Sequence, residues 1–580
     1  MPTTFAELLA GAKANVQHID VATLEERRRA EPSLVILDVR EQGELESGVI
    51  PQALCITRGF LEARIEKHVP DRNRPIAVMC ASGTRATLAA QSLMAMGYAH
   101  VFCVQGGMAA WKEAGLAFNT PTLETHACSS EKLTWDSIRA DFPITGRRVP
   151  VLGGLDLELA YLDHAASTHA PRRVIKRFSD FMCREYANIH RGTHLLSRQA
   201  TQTFDDCYET CSQFIGGNLT TNAVVFTMNT TQAIDIAAHV VDALPGKVLL
   251  SSMEHHSNDL PYRKRGDVLR ARCLADGTLD MQHMEELLKN NRVKLVAITG
   301  ASNLTGWLPP IYDIARMAHA HGALILVDGA QILAHYPMDV RADNAPEHID
   351  FFVAAGHKAY APFGAAFLYG PRALMDAVPP YLPGGGTAGE VDVDSVSFVK
   401  SPDRHQGGTP NIGGVIAMAE AIRFLNQIGM EEIRAHELVL LRKAMAGLRA
   451  IDGVRVYGPQ DPNARLGVVT FNVRGVSDML CAAILSEEYG IACRNGRFCS
   501  HIYANILFGS DDFATVDPGQ HAGAVRASFG LYNTEACVDR LLHAVEAISK
   551  QQWQGEYKTR SGNLNTDFIG RCNDKWMESA

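Results

Sequence analysis

Apolar and polar positions divide the chain into segments of different period. Within residues 1–120, SLVILDVRE (33–41) and PIAVMC (75–80) are short apolar runs that read as buried strands, and RATLAAQSLMAMG (85–97) repeats apolar residues at helical spacing before a glycine stop. Strands alternate with helices, which predicts an α/β unit over 1–120. The stretch 121–132, PTLETHACSSEK, is polar and aperiodic and reads as a linker. Residues 133–550 read as one larger body. From about 160 to 430, strands such as KVLLSS (247–252), KLVAITGAS (294–302) and ALILVDG (323–329) alternate with helical segments, the pattern of a mostly parallel sheet. Residues 435–550, together with 133–150, are expected to form a smaller α+β domain. The polar stretch 551–580 lacks a period and is expected to be a tail, disordered or held by a partner.

Composition narrows the class. A chain of 580 residues, 46% apolar and 21% charged, has the length for more than one domain and the balance of a soluble globular enzyme. Its net charge of −9 argues against a nucleic-acid-binding face. No apolar run approaches a membrane span, and the first twenty residues lack the basic-then-apolar build of a signal peptide, so the expected location is the cytoplasm, with no membrane partner. Thirteen cysteines at irregular spacing, without a C-x-x-C pair, suit neither a zinc site nor a disulfide framework. No metal is expected, and the odd count leaves at least one thiol free.

The chemistry begins at DFFVAAGHK (350–358). Lys358 follows a histidine at the end of an apolar strand, thirty residues after Asp328 ends the strand ALILVD. A cofactor aldehyde needs a lysine, and an electron-sink ring needs a carboxylate on its pyridinium nitrogen, so the pair points to pyridoxal 5'-phosphate (PLP). Around it run YLDHAAS (161–167), NIHRGTH (188–194), TTQAID (230–235), MEHHSND (253–259), SNLTG (302–306), VDGAQ (327–331), GHK (356–358), GGTPN (407–411) and RASFGLYNT (526–534). In this order the motifs resemble the class V aminotransferase family, and within it the SUF-type cysteine desulfurases and their selenocysteine lyase relatives, over roughly residues 133–548.

That resemblance implies a fold-type I large domain with a smaller α+β domain, PLP as cofactor, L-cysteine as substrate and a homodimer. It makes Lys358 the lysine that links the cofactor, Asp328 the partner of the pyridinium nitrogen and Gln331 a contact to the phenolic oxygen. His255 would stack on the ring and move protons near the substrate, because imidazole titrates near neutrality. Thr230, Thr231 and His357 would hold the phosphate, with Thr409 reaching the phosphate of the neighbouring subunit. Arg526 would take the substrate carboxylate in its planar fork, with Arg494 and Asn303 as secondary contacts. Cys499, in GIACRNGRFCSH, would be the sulfur-accepting thiol on a lid loop. Cys493 reads as core packing. The chain departs from the family at Ala355, where the pattern S-G-H-K has serine, at Arg497-Phe498, which replaces two histidines, and at FGSDDFATVDPGQHAG (508–523), which lengthens the path to Arg526.

Before the linker, LDVRE (37–41), GVIPQAL (48–54), CASGTRATLAA (80–90) and VQGGMAAWKEAG (104–115) resemble a single rhodanese domain. In that family the loop after Cys80 wraps its sulfur so that backbone N–H groups and a helix dipole stabilise a thiolate or persulfide. Gly83 would permit the curvature and Arg85 add positive charge. A tether of about a dozen residues can hold a second thiol at roughly millimolar effective concentration. The fusion therefore implies a relay from Cys499 to Cys80 and on to an acceptor protein or small thiophile, iron–sulfur cluster assembly among the uses open. Two alternatives remain at this level: a selenocysteine or other C–S lyase beside an independent thiosulfate sulfurtransferase, or a rhodanese module that only docks.

Overall fold

The structure, a computed structural model, describes residues 5–31, 33–40, 44, 48–51, 53–116, 118, 133–509, 513–514, 522–561 and 566–570. The predicted linker 121–132 and most of 510–521 lie outside the described residues. The chain forms two compact units, Met1–Glu131 and Lys132–Ala580.

In the first unit five parallel strands stand in the order Gln17–Ile19, Val101–Val104, Ile76–Met79, Val35–Asp38, Leu54–Cys55. Both faces are covered, which is why the strands read as unbroken apolar runs rather than as alternation. Ile76 and Val78 join one core with Leu93 and Ala90 of the helix Thr84–Ala95, while Ala77 and Met79 join the other with Leu24 and Trp111. Cys80 follows the central strand directly.

The large domain of the second unit carries seven strands in the order Val268–Ala271, Lys247–Ser251, Val293–Thr299, Leu324–Asp328, Phe351–Ala355, Ala366–Pro371, Asn222–Thr227. Only Ala366–Pro371 runs against the rest. Successive residues again feed opposite cores: Ile325 and Val327 face one cluster and Leu326 the other. Ligands of such sheets bind beyond the carboxyl ends of the strands. Here Asp328, Lys358, His255, Asn303 and Thr230 all follow those ends.

The small domain has four antiparallel strands in the order Val454–Val456, Val468–Val473, Ala524–Ser528, Arg494–Gly496, with Arg494 directly opposite Arg526. Two expectations need correction. The helix Trp135–Ala140 does not join this domain: Ile138 and the following Phe142, spaced to share one helix face, are buried in the large-domain core, where Phe142 meets Tyr360 edge-on at 5.5 Å. The small domain takes only the next segment, where Ala160–Tyr161 pairs with Ile491–Ala492. The stretch after 550 is not wholly without structure either. Glu488 accepts hydrogen bonds from Gln554 N (3.0 Å), Gly555 N (2.8 Å) and Tyr557 Oη (2.8 Å), and Tyr557–Ser561 pairs antiparallel with Thr566–Gly570. Backbone donors anchor the segment, so no apolar period announced it. Among the described residues, no helix is long and apolar enough to cross a membrane.

Candidate active site

The strand ends of the large domain and one edge of the small domain enclose a cavity of about 410 Å³. It brings together Lys358, Asp328, Gln331, His255, His357, Thr230, Thr231 and Asn303 from the large domain with Arg494, Cys499 and Arg526 from the small one. Thr409 is not among its lining residues and is exposed.

Burial governs the titration of these groups. It lowers Lys358 to about 8, against the opposing pull of Asp328, so the amine is partly neutral near physiological pH. It raises Asp328, whose carboxylate accepts only the Ala330 N–H at 3.0 Å from the backbone. Burial and the nearby Lys358 charge take His255 down to about 3 and His357 to about 4. His255 is therefore neutral, and the expectation of an imidazole titrating near neutrality is overturned by desolvation. Its Nδ1 accepts the Ser257 N–H at 3.1 Å, which puts the ring proton on Nε2. Behind it Glu254, buried and raised to about 8, accepts from Ser251 Oγ and from Asn258 Nδ2 at 2.7 Å, fixing the turn that carries the histidine.

Asn229 caps the helix Thr230–Asp242 by accepting the Gln232 N–H at 2.9 Å, leaving the first-turn N–H groups toward the cavity. Thr231 Oγ1 lies 2.7 Å from Ser257 Oγ, so a hydroxyl pair stands at the helix start. Gln331 Nε2 donates to Ala165 O at 2.9 Å.

On the opposite wall Arg526 is buried; it donates to Asn303 O at 2.9 Å and to Asp163 Oδ1 at 3.1 Å, and its guanidinium lies 4.7 Å from the Phe498 ring centre. Arg494 also pairs with Asp163, at 3.0 Å. The Cys499 loop is held at three points. Asn303 Nδ2 donates to Phe498 O at 2.6 Å, Ser500 Oγ to Asn303 Oδ1 at 2.8 Å, and His256 N to Cys499 O at 2.8 Å. Phe498 and Cys499 both have positive φ, 51° and 54°, a conformation rare for side chains of this size. Cys499 itself is exposed. The side chain of Asn303, expected to touch substrate, is spent on this loop instead. Cys493 packs against the small-domain core, and burial raises its thiol to about 12, which suits core packing.

The second thiol is the buried Cys80. Its Sγ accepts the N–H groups of Gly83 (3.1 Å) and Ala86 (3.4 Å) at the start of the helix Thr84–Ala95, and Gly83 has φ 102°. The Gly106-Gly107 turn closes over the loop: Met108 N donates to Cys80 O at 2.8 Å, and a Cβ on Gly107 would come within 2.1 Å of that oxygen. Arg85 does not supply a free positive charge as expected, because Glu44 binds it through two oxygens at 2.5 and 2.6 Å.

The aminotransferase class-V profile matches residues 160–541, and the rhodanese-like domain profile residues 20–114. Cysteine desulfurases of Shigella sonnei (strain Ss046) and Escherichia coli (strain K12 / DH10B) are each 35% identical over 428 residues, covering 72% of this chain and 98% of the relative. The chain belongs to the class-V aminotransferases, among the cysteine desulfurases. Among solved structures, the apo cysteine desulfurase of Thermococcus onnurineus NA1 is 30% identical with a TM-score of 0.64, over 72% of this chain and 98% of that one. The cysteine desulfurase CsdA of Escherichia coli, in its S-sulfonic acid form, is 28% identical with a TM-score of 0.62, over 73% and 100%.

Class-V aminotransferases of this kind are PLP-dependent, and the cavity of this member fits the cofactor. Two buried polar atoms on its wall, Thr230 Oγ1 and His357 Nδ1, have no partner in the protein, as donors meant for a phosphate would not. Asp328 and Gln331 offer the acceptor and donor that a pyridine ring and its phenolic oxygen require. Three residues of this class-V site escaped the sequence reading. Asp163 stands inside the quoted YLDHAAS and Ser257 inside MEHHSND, yet neither was singled out; Phe498 was noted only as a departure.

Proposed function

We propose that this desulfurase moves sulfur from L-cysteine to Cys499 and then to Cys80 of its own rhodanese domain. One observation carries the first half: Cys499 lines the same cavity as Lys358, Asp328 and the buried Arg526. Arg526 takes the substrate carboxylate, a charged hydrogen bond of about 1.5–3 kcal/mol. Thr230, Thr231 and His357 hold the cofactor phosphate, and Ser257 supplies the hydroxyl that Ala355 lacks. Asp328 and Gln331 hold the ring, with His255 against its face as a neutral Nε2–H donor. PLP, when bound, supplies the electron sink for the bonds broken at the substrate's Cα and Cβ.

Lys358 links the cofactor in the resting enzyme and, once displaced, takes the Cα proton as a neutral amine, for which a value near 8 is suited. The Cys499 thiolate forms a bond to the substrate sulfur as the Cβ–S bond breaks. The carbon fragment gains a proton and leaves as L-alanine, and Cys499 keeps a persulfide. In the relay the Cys80 thiolate attacks the terminal sulfur of that persulfide and the Cys499 thiolate leaves. The cradle of Gly83 and Ala86 N–H groups favours a sulfur anion on Cys80. A homodimer brings the exposed Thr409 to the phosphate of the neighbouring subunit. The polypeptide comprises a rhodanese domain (1–120), a linker (121–132), the desulfurase body (133–550) and a tail (551–580), acting in the cytoplasm and delivering sulfur to an acceptor protein or small thiophile.

Isotopically labelled sulfur from L-cysteine tests the relay. Peptide mass spectrometry should find label on Cys499 first and Cys80 second, with Cys80→Ser stopping it at Cys499. Equal labelling of Cys80 in a Cys499→Ala background would mean that the two domains use separate sulfur sources.

A further inference from the structure

The two arginines of the substrate wall share one carboxylate. Asp163 Oδ1 accepts from Arg526 at 3.1 Å, and Asp163 Oδ2 accepts from Arg494 Nε and Nη2, each at 3.0 Å. Both arginines line the cavity, whereas Asp163 stands behind them, 8% exposed. The three side chains come from positions 163, 494 and 526, the last two directly opposed across neighbouring strands. A bridge between Asp163 and Ser528 fixes the backbone of the aspartate against the strand that carries Arg526.

Charge counting gives this arrangement a consequence. Two guanidiniums alone would present a doubly positive wall, which attracts dianions best. With Asp163 between them, the wall carries one net positive charge, matched to one carboxylate. The aspartate also uses one edge of Arg526 while Asn303 O uses another at 2.9 Å, so the guanidinium is oriented before substrate arrives. Nε of Arg526 remains buried and without a partner.

We propose that Asp163 sets the charge selectivity of the substrate site, restricting it to amino acids with one carboxylate and an uncharged side chain, and that it does so by positioning and half-neutralising the Arg526–Arg494 pair. This rests on the reading that Arg526 receives the substrate carboxylate. Asp163 is a positioning residue: it acts through the arginines and discriminates against the wrong ligand by charge.

Calorimetric titration of the PLP-loaded enzyme with L-alanine and with L-aspartate reads the selectivity directly, as a ratio of two dissociation constants. Asp163→Asn keeps an oxygen for Arg526 and removes only the charge. The ratio should move toward L-aspartate by about tenfold, the scale of one charge interaction at a partly buried site. Arg494→Gln should move it the other way, and that variant decides the matter alone if Asp163→Asn does not fold. A merely structural aspartate would weaken both ligands together. A ratio that moves less than threefold in either variant, or toward L-alanine in Asp163→Asn, overturns the proposal. Failure of the desulfurase reading would look different: wild-type enzyme would bind neither amino acid and form no persulfide from L-cysteine.

Discussion

Asn303 holds the Phe498 carbonyl at 2.6 Å through its side-chain amide, and the same side chain accepts from Ser500 at 2.8 Å, so Cys499 is bracketed on both sides by one residue. The bracket keeps Phe498 and Cys499 in left-handed backbone conformations that cost of order 1–3 kcal/mol each. Asn303 O also accepts from Arg526, which ties the thiol loop to the substrate-carboxylate site. Asn303→Ala should let the loop relax. Persulfide formation is expected to slow by about 10²-fold, the usual effect of misplacing a reacting group by an ångström, while PLP content stays unchanged. Single-turnover kinetics with cofactor content measured in parallel check this.

Lys358 dictates the pH profile. Burial lowers its amine to about 8, and the neutral form is the base, so turnover should rise with pH through about 8 and level off above it. His255, lowered to about 3, stays neutral across the range and should contribute no step between pH 5 and 7. A step near pH 6 in the kcat profile that His255→Gln removes would show that the imidazole does titrate there.

A cluster remote from the cavity sets part of the pH dependence of stability. Asp350 accepts from His319 Nε2 at 2.9 Å, from His348 Nε2 at 3.2 Å and from Ile325 N at 2.8 Å. The Asp350 hydrogen bond raises both histidines above their ordinary 6.5 against the effect of burial; burial pushes Asp350 up, but the histidines outweigh it and leave it lowered. For groups raised on folding, the stabilisation is fully present below 6.5 and is lost as pH rises through the raised values. Melting temperature should therefore fall between about pH 6.5 and 8, and the fall should be shallower in His348→Gln, which thermal unfolding across that range will measure.

Thr409 is exposed and distant from its own cavity, while Thr230 and His357 have unpaired polar atoms there. Thr409→Val should lose PLP on dialysis faster than the parent, by roughly the tenfold that one net hydrogen bond of about 1 kcal/mol or slightly more represents. Mixed dimers of Thr409→Val with Lys358→Ala should contain one site lacking both groups and one intact site, and so retain about half the activity per dimer if the sites are shared.

What could be read from the sequence was whatever lies next to a strand end. Asp328 and Lys358 each terminate an apolar run, so their chemistry and placement came together in one short motif, and Thr230 was visible at the start of its helix. Side chains that meet across the fold were hidden. Asp163 reaches Arg494 and Arg526 over more than three hundred residues, and no periodicity encodes that contact. The same holds for Glu44, which neutralises Arg85 from forty-one positions away. Electrostatics were legible only as residue type. His255 carries an imidazole, but only the packed cavity and the Lys358 charge take it down to about 3. The stretch after 550 was misread because backbone N–H groups, which no sequence pattern distinguishes, attach it to Glu488.

The account stands on Cys499 as the atom that receives sulfur. L-Alanine release and persulfide content, measured together for the parent and Cys499→Ala after addition of L-cysteine, test it most directly. Cys499→Ala should retain PLP and bind L-cysteine, yet form no persulfide on the desulfurase body and release alanine at less than a hundredth of the parent rate, a loss on the scale expected for removing a nucleophile. Alanine release by Cys499→Ala at the parent rate would contradict the account and make the protein a lyase that needs no thiol of its own.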